Sequence, residues 1–167
     1  MESGTVKLIL FAVVSGGLFA ISWKPLRVVG SHGFYRFFAS EAILALILVN
    51  IGAWFLDPFS ILQIVSWVFL FVSLILLEQG VYMILIAGKP SNQRQDNTLL
   101  KFEKTSSLVT TGIYRYIRHP LYGSLLFLAW GAFLKELTWY SVCLVSVATL
   151  CLVATAKADE VECIQYF

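Results

Sequence analysis

Five apolar runs separated by short polar breaks dominate the chain: residues 6–23, 34–56, 61–87, 121–134 and about 139–156. A helix needs about 20 mostly apolar residues to cross a bilayer core of about 30 Å, and four of the runs approach or exceed that length. The fourth run is shorter, so its helix either begins inside the preceding polar segment or enters the membrane without crossing it. The pattern predicts an all-α, polytopic integral membrane bundle of about five transmembrane helices.

Composition supports a membrane protein and argues against several other classes. Hydrophobic residues make up 59% of the chain, charged residues 13%, and the mean hydropathy is +0.81. A net charge of +2 gives no support to nucleic-acid binding. The three cysteines, Cys143, Cys151 and Cys163, form no metal-binding or disulfide pattern, and we expect them to be buried apolar side chains and the protein to hold no metal.

The distribution of basic residues predicts an orientation in the membrane. With five spans, ten of the twelve Lys and Arg fall on one side, whereas the other side keeps only Lys7 and Lys135. Because basic residues concentrate in cytoplasmic loops, we expect the N-terminus outside and the C-terminus in the cytosol. The N-terminal run lacks a basic start and a clear cleavage site, so we expect a retained helix and not a signal peptide.

The spans predict one membrane domain with three parts. Residues 1–87 hold three helices, residues 88–120 form a cytosolic loop in which 88–111 could include a short interfacial helix or lid, and residues 121–167 form a helical hairpin with an acidic end. Glu41 and Glu78 interrupt apolar runs, and each could either make a structural pair or line a polar cavity. Gly16, Gly17 and Gly80 are expected to allow close helix packing.

The chemically dense stretch is Ser106–Tyr122, which crowds bases, a histidine and tyrosines against the start of the fourth run. Pro120 favours the first turn of a helix, so the fourth helix is expected to begin at about His119. Its positive end would then lie beside Arg118 and His119, which suits an anionic ligand. Taken one at a time, the basic residues could instead be anchors at the membrane boundary, and the tyrosines could belong to an aromatic belt there.

As an ordered string, residues 108–114, LVTTGIY, followed by 118–122, RHPLY, resemble the signature of the isoprenylcysteine carboxyl methyltransferase family and its phospholipid methyltransferase relatives. The strong match covers about twenty residues, and a weaker one runs to the end of the chain. The resemblance implies a membrane-embedded methyltransferase that uses S-adenosylmethionine. No glycine-rich dinucleotide loop of the soluble type occurs in the chain.

The resemblance also implies site residues. Those implied to bind the cofactor are Ser106, Ser107, Leu108, Val109, Tyr114, His119, Pro120, Leu121, Tyr122, Asp159 and Glu160, and the catalytic group is expected to include Arg118, His119 and Glu160. Asp159 and Glu160 match an acidic pair that follows the last helix in the family. The chain departs from the family where Ser106 replaces a frequent histidine and Thr155 replaces an arginine expected to help hold the substrate.

The expected acceptor is lipophilic and reaches the site from the membrane: a prenylcysteine-like carboxylate, a phospholipid amine or another small lipophile. Two other functions remain open. Sterol reductases, which bind NADPH, end in a related arginine, histidine, proline and tyrosine arrangement. A membrane scaffold that keeps the fold without catalysis is the other possibility.

Overall fold

The computed structural model describes residues 2–87 and 109–166, and all regular structure in them is helical. Five α-helices follow one another: α1 (Glu2–Leu26), α2 (His32–Asn50), α3 (Ile61–Ala87), α4 (Pro120–Phe133) and α5 (Trp139–Tyr166). Single 3₁₀ turns lie at Ile51–Ala53 and Gly112–Arg115. Four helices are long and apolar enough to cross a membrane, which confirms the predicted membrane bundle. The fourth helix has 14 residues, or about 21 Å, which is short of a full crossing.

The last helix is longer than its apolar run. We expected the acidic pair to follow this helix, but α5 continues to Tyr166 and carries Asp159 and Glu160 on its final turns. No glycine or proline interrupts residues 157–166, so the backbone can remain helical after the sequence turns polar. The acidic residues are therefore held on a helix and not on a tail.

Small side chains hold α2, α4 and α5 together. The core they form consists of Ala39, Ala42, Ile43, Leu46, Ala129, Ala132, Val145, Ala148 and Leu152. Between helices in lipid, association depends on close van der Waals packing, and small residues allow the backbones to approach. On α5 the buried positions recur every three or four residues, from Ser141 through Val145, Ala148 and Leu152 to Thr155.

The pairing of α3 with α4 is close and antiparallel. Ser66 donates to the carbonyl of Gly131 at 2.7 Å, and one heptad later Ser73 donates to the carbonyl of Ser124 at 2.8 Å. A Cβ on Gly80 would come within 2.9 Å of Leu121, which confirms that this glycine permits close packing. The expectation for Gly16 and Gly17 was wrong: among the described residues, no atom of another element lies within 4 Å of a Cβ built at either position.

Polar side chains at one end of the bundle form hydrogen bonds between the helices. Asn50 is fully buried, donates to the carbonyl of Ala132 at 2.9 Å and accepts from Ser141 at 2.9 Å. Lys135, only 5% exposed, donates to Gln63 at 2.9 Å and lies 3.8 Å above the ring of Trp67. Lys7 lies at the same end of the bundle, where it donates to the carbonyl of Val49. The C-terminal ends of α3 and α5 lie at the opposite end. Which side of the membrane it faces stays a prediction.

Three other expectations concern single residues. Glu41 has one buried carboxylate oxygen without a hydrogen-bond partner among the described residues, whereas Glu78 is exposed near the end of α3. The cysteines are free, but Cys143 is exposed on α5 and the other two are only half-buried. The burial we expected for Cys143 was wrong because it lies beside the packed stripe of α5 and not on it.

Replacing Gly131 with alanine should destabilise the protein. The new Cβ would meet the side chain of Leu70 at 2.9 Å and its backbone nitrogen at 3.3 Å, and overpacking of this kind typically costs about 1–3 kcal/mol. We expect the melting temperature in detergent to fall by several degrees. The matched control is Gly17→Ala, also inside a helix, which should leave the melting temperature equal or slightly higher because alanine favours helix and meets no neighbour there. Equal effects of the two substitutions would contradict the close pairing of α3 and α4.

Candidate active site

The beginning of α4 lies where the sequence predicted it. Pro120 is the first helical residue, and His119 precedes it as the N-cap with φ −127° and ψ 67°. The side chain of His119 does not cap this helix end, and the amide of Gly123 bonds to the carbonyl of His119 at 2.9 Å. The arrangement keeps His119 at the positive end of α4, outside the apolar part of the helix.

The imidazole of His119 lies between two carboxylates of α5. Its Nδ1 is 3.3 Å from Asp159 Oδ2, and its Nε2 is 3.3 Å from Glu160 Oε1. The ring also stacks on Tyr122 one turn later, with centroids 5.5 Å apart and planes 24° from parallel. Two helix ends that are 40 residues apart in sequence thereby meet at one side chain.

Arg118 completes this group, which we call the histidine–carboxylate cluster: Arg118, His119, Asp159 and Glu160. Its Nη1 lies 3.7 Å from Glu160 Oε1, and the side chain is 85% exposed. An exposed pair at that distance contributes little to stability. The guanidinium can therefore turn towards an anionic group of a ligand at small cost.

The cluster raises the pKa of His119 above its ordinary value. The hydrogen bond to Asp159 is the largest cause, and the hydrogen bond to Glu160 and the charges of both carboxylates act in the same direction. Partial burial of the ring opposes them by disfavouring the imidazolium, but it does not prevail. With the imidazolium present, two positive and two negative side chains balance; with the neutral ring, the cluster carries one net negative charge.

A 3₁₀ turn places the preceding motif against α3. Gly112 has φ +61°, and a Cβ there would lie 2.7 Å from the sulfur of Met83. The backbone conformation favours glycine at this position, and a side chain there would have to displace Met83. The turn carries Tyr114, which is half-buried, towards the end of α3.

The structure thus brings together some of the residues expected at the site. His119 contacts Tyr122, Asp159 and Glu160, and Arg118 contacts Glu160, whereas Pro120 and Leu121 pack on Gly80. Val109 is half-buried just before the 3₁₀ turn. Ser106, Ser107 and Leu108 lie outside the described residues, as does the expected interfacial helix or lid up to residue 108. Within the described ranges, no group of three or more His, Cys, Asp or Glu side chains is arranged to hold a metal ion.

Two residues near the cluster were not singled out by the sequence: His32 and Glu162. His32 begins α2, and its ring nitrogen Nδ1 lies 2.7 Å from Glu162 Oε2 on α5. The spacing of Thr155, Asp159 and Glu162 continues the packed stripe of α5 and could have indicated that both acids face the bundle. Nothing in the sequence pattern connects residue 32 with residue 162. Thr155 itself is buried and donates to the carbonyl of Cys151 at 2.7 Å, so it helps to pack the helix.

Comparison with known proteins gives one match. The family model described as phospholipid methyltransferase matches residues 68–165, more than half of the chain, and so includes α4, most of α3 and all of α5 except its last residue. No curated protein and no solved structure matches the chain significantly. The matched range contains the whole histidine–carboxylate cluster but not His32.

Replacing Asp159 with asparagine should lower the pKa of His119 towards the ordinary histidine value of about 6.5, because the strongest partner of the imidazolium loses its charge. The protein has two histidines, so an NMR titration of ¹³C-labelled histidine rings resolves both. Asp57→Asn, in the link between α2 and α3, is the matched control and should leave the titration unchanged. If the pKa of His119 is the same in the wild type and in Asp159→Asn, the two side chains do not interact.

Proposed function

The chain belongs to the phospholipid methyltransferase family, and from this membership and the geometry of the cluster we propose that it transfers a methyl group from S-adenosylmethionine to a lipophilic acceptor at the cytosolic face of a membrane. The observation that carries the proposal is the meeting of His119 with Asp159 and Glu160. It joins the motif before α4 to the acidic end of α5.

The charges of the cluster fit such a cofactor. S-adenosylmethionine carries a sulfonium, an ammonium and a carboxylate, and when bound it supplies an electrophilic methyl group. Asp159 and Glu160 would accept hydrogen bonds from the ammonium, while Arg118 and the uncapped amides of α4 suit the carboxylate. Tyr122 offers an aromatic face beside His119 for contact with a cation.

The protein's own contribution to the transfer would be orientation and electrostatics. The two helix ends hold their side chains on packed backbones, so the charged groups need little reorganisation to face a bound ligand. The site lies at the ends of helices whose outer surfaces are apolar and exposed, which gives a lipid-soluble acceptor a route from the membrane. The family description favours a phospholipid amine, whereas the motif's resemblance also allows a prenylcysteine-like carboxylate.

Binding of S-adenosylmethionine should strengthen as the pH rises through the raised pKa of His119. Below that pKa the imidazolium occupies the carboxylates and competes with a cationic ligand; above it, the neutral ring leaves them with uncompensated charge. Isothermal titration calorimetry across this pH range, in buffers of different protonation enthalpy, would detect tighter binding at higher pH and proton release on binding at lower pH. Affinity that is flat with pH would contradict a carboxylate site shared with His119.

Glu160→Gln should weaken S-adenosylmethionine binding about 10- to 100-fold, since a hydrogen bond to a charged group contributes about 1.5–3 kcal/mol. Glu136→Gln, exposed at the opposite end of the bundle, is the matched control and should bind normally. Incubation with labelled cofactor and a lipid extract then identifies the product. NADPH binding in place of S-adenosylmethionine would favour a reductase, and binding of neither would favour a scaffold. Methyl transfer to water-soluble acceptors alone would refute the lipophilic acceptor.

A further inference from the structure

His32 and Glu162 form a second histidine–carboxylate pair, and it is buried more deeply than the first. The side chain of His32 is fully buried, and that of Glu162 is 23% exposed. One carboxylate oxygen lies 2.7 Å from Nδ1 of the ring, and the other accepts the backbone N–H of His32 at 3.0 Å. Because this amide belongs to the first residue of α2, Glu162 also places negative charge at the positive end of that helix.

This contact places a proton on Nδ1 of the imidazole. A carboxylate 2.7 Å away is an acceptor, so Nδ1 carries a proton, and in the neutral ring Nε2 then holds a free lone pair. Nε2 is buried and has no hydrogen-bond partner among the described residues. An unsatisfied buried polar atom is costly, so a ligand that donates a hydrogen bond to Nε2 would relieve the penalty.

The pair lies next to the first cluster. Asp159 and Glu162 are three residues apart on α5, and side chains at that spacing are neighbours on one helical face, about 5–6 Å apart at Cβ. Asp159 contacts His119 and Glu162 contacts His32, so the two imidazoles approach neighbouring positions on the last turns of α5. A ligand at Nε2 of His32 would therefore be close to a ligand of the histidine–carboxylate cluster.

Charged residues lie near His32 along the chain and on α5. On α5 they are Glu162 and, one turn earlier, Asp159; on α2 itself Arg36 follows one turn later, half-buried. Before α2 in the chain come Lys24, in the last turn of α1, and Arg27, just after that helix, and both are exposed. Glu162 is the one for which the structure gives a direct contact with the imidazole.

We propose that His32, oriented by Glu162, is the general base that removes a proton from a phospholipid amine acceptor. The inference rests on the proposed methyl transfer and adds a catalytic residue to it. An N–H bond of the acceptor ammonium breaks, its electron pair stays on nitrogen as the nucleophile, and the proton bonds to Nε2. The resulting imidazolium is stabilised by Glu162, and Nε2 gives its proton to water when the methylated product leaves, which returns the ring to the form with the proton on Nδ1.

The chemistry of an amine acceptor requires such a group. A primary alkyl ammonium has a pKa near that of lysine, about 10.4, so almost none of it is nucleophilic at neutral pH. A carboxylate acceptor is already nucleophilic and needs no base. The ammonium also supplies the hydrogen-bond donor that Nε2 lacks, whereas a quaternary ammonium has no N–H and would be released from it.

Binding can be tested without catalysis or substitution. With ¹³C-labelled histidine, the protein in nanodiscs containing phosphatidylethanolamine is compared with the protein in nanodiscs containing phosphatidylcholine, which has no N–H on its headgroup. We expect the ring signal of His32 to differ between the two lipids. Identical His32 signals would overturn the proposal.

The kinetic test uses His32→Asn, since the asparagine amide can still donate to Glu162 but has no basic nitrogen at the Nε2 position. S-adenosylmethionine affinity should stay within about threefold, while methyl transfer to phosphatidylethanolamine at neutral pH should fall about 10²- to 10⁴-fold. The remaining rate should rise about tenfold per pH unit towards the amine's own pKa. Glu162→Gln should also slow transfer, because an amide can impose the wrong tautomer on His32, and Glu136→Gln should retain the wild-type rate.

The outcomes separate this inference from the proposed function. If the wild-type protein binds no S-adenosylmethionine and methylates no lipid, the proposed function fails and the inference fails with it. If it methylates only carboxylate acceptors, methyl transfer stands and the role of His32 is wrong. Two results with His32→Asn would also overturn the role of His32 as a base. One is a wild-type rate of methyl transfer at every pH, and the other is a reduced rate that does not increase at high pH.

Discussion

The register of α2 against α5 is the constraint on which the site depends. Polar contacts fix both ends of this antiparallel pair: Asn50 with Ser141 at one end and His32 with Glu162 at the other. Between them the helices meet through small and aliphatic side chains that resist sliding but do not select one register by themselves. Asn50, Ser141 and His32 are fully buried, so a shift by one turn would leave their polar groups without these partners and out of contact with water.

This register also determines where the acidic end of α5 lies. With α5 held against α2, its final turns extend past the apolar core, and Asp159 and Glu160 reach the first residues of α4. The position of α4 is set by its close pairing with α3 through Ser66, Ser73 and Gly131 and by the core that it shares with α2 and α5. The histidine–carboxylate cluster therefore forms where the start of α4 and the last turns of α5 are both held by packing against other helices.

Histidine paired with a carboxylate occurs twice at this end of the bundle, in two different environments. His119 is partly exposed and shares two carboxylates with Arg118, so its charge can change when a cationic ligand arrives. His32 is buried, and the carboxylate of Glu162 accepts hydrogen bonds from both its backbone N–H and its ring Nδ1. The first arrangement suits binding of a charged cofactor, and the second fixes the orientation of one ring.

The sequence by itself determined the membrane class, the helices, the start of α4 at Pro120 and the residues of the motif, because apolar length, proline and a short ordered string are local properties. It also identified Asp159 and Glu160, although not that they lie on a continuous helix. Only the tertiary structure decided that His32 meets Glu162, that Gly80 and not Gly16 is a packing position, and that Cys143 is exposed. These facts depend on which helices pack together and in what register. That register is set by contacts between residues far apart in the sequence, and such contacts produce no periodic pattern in either segment.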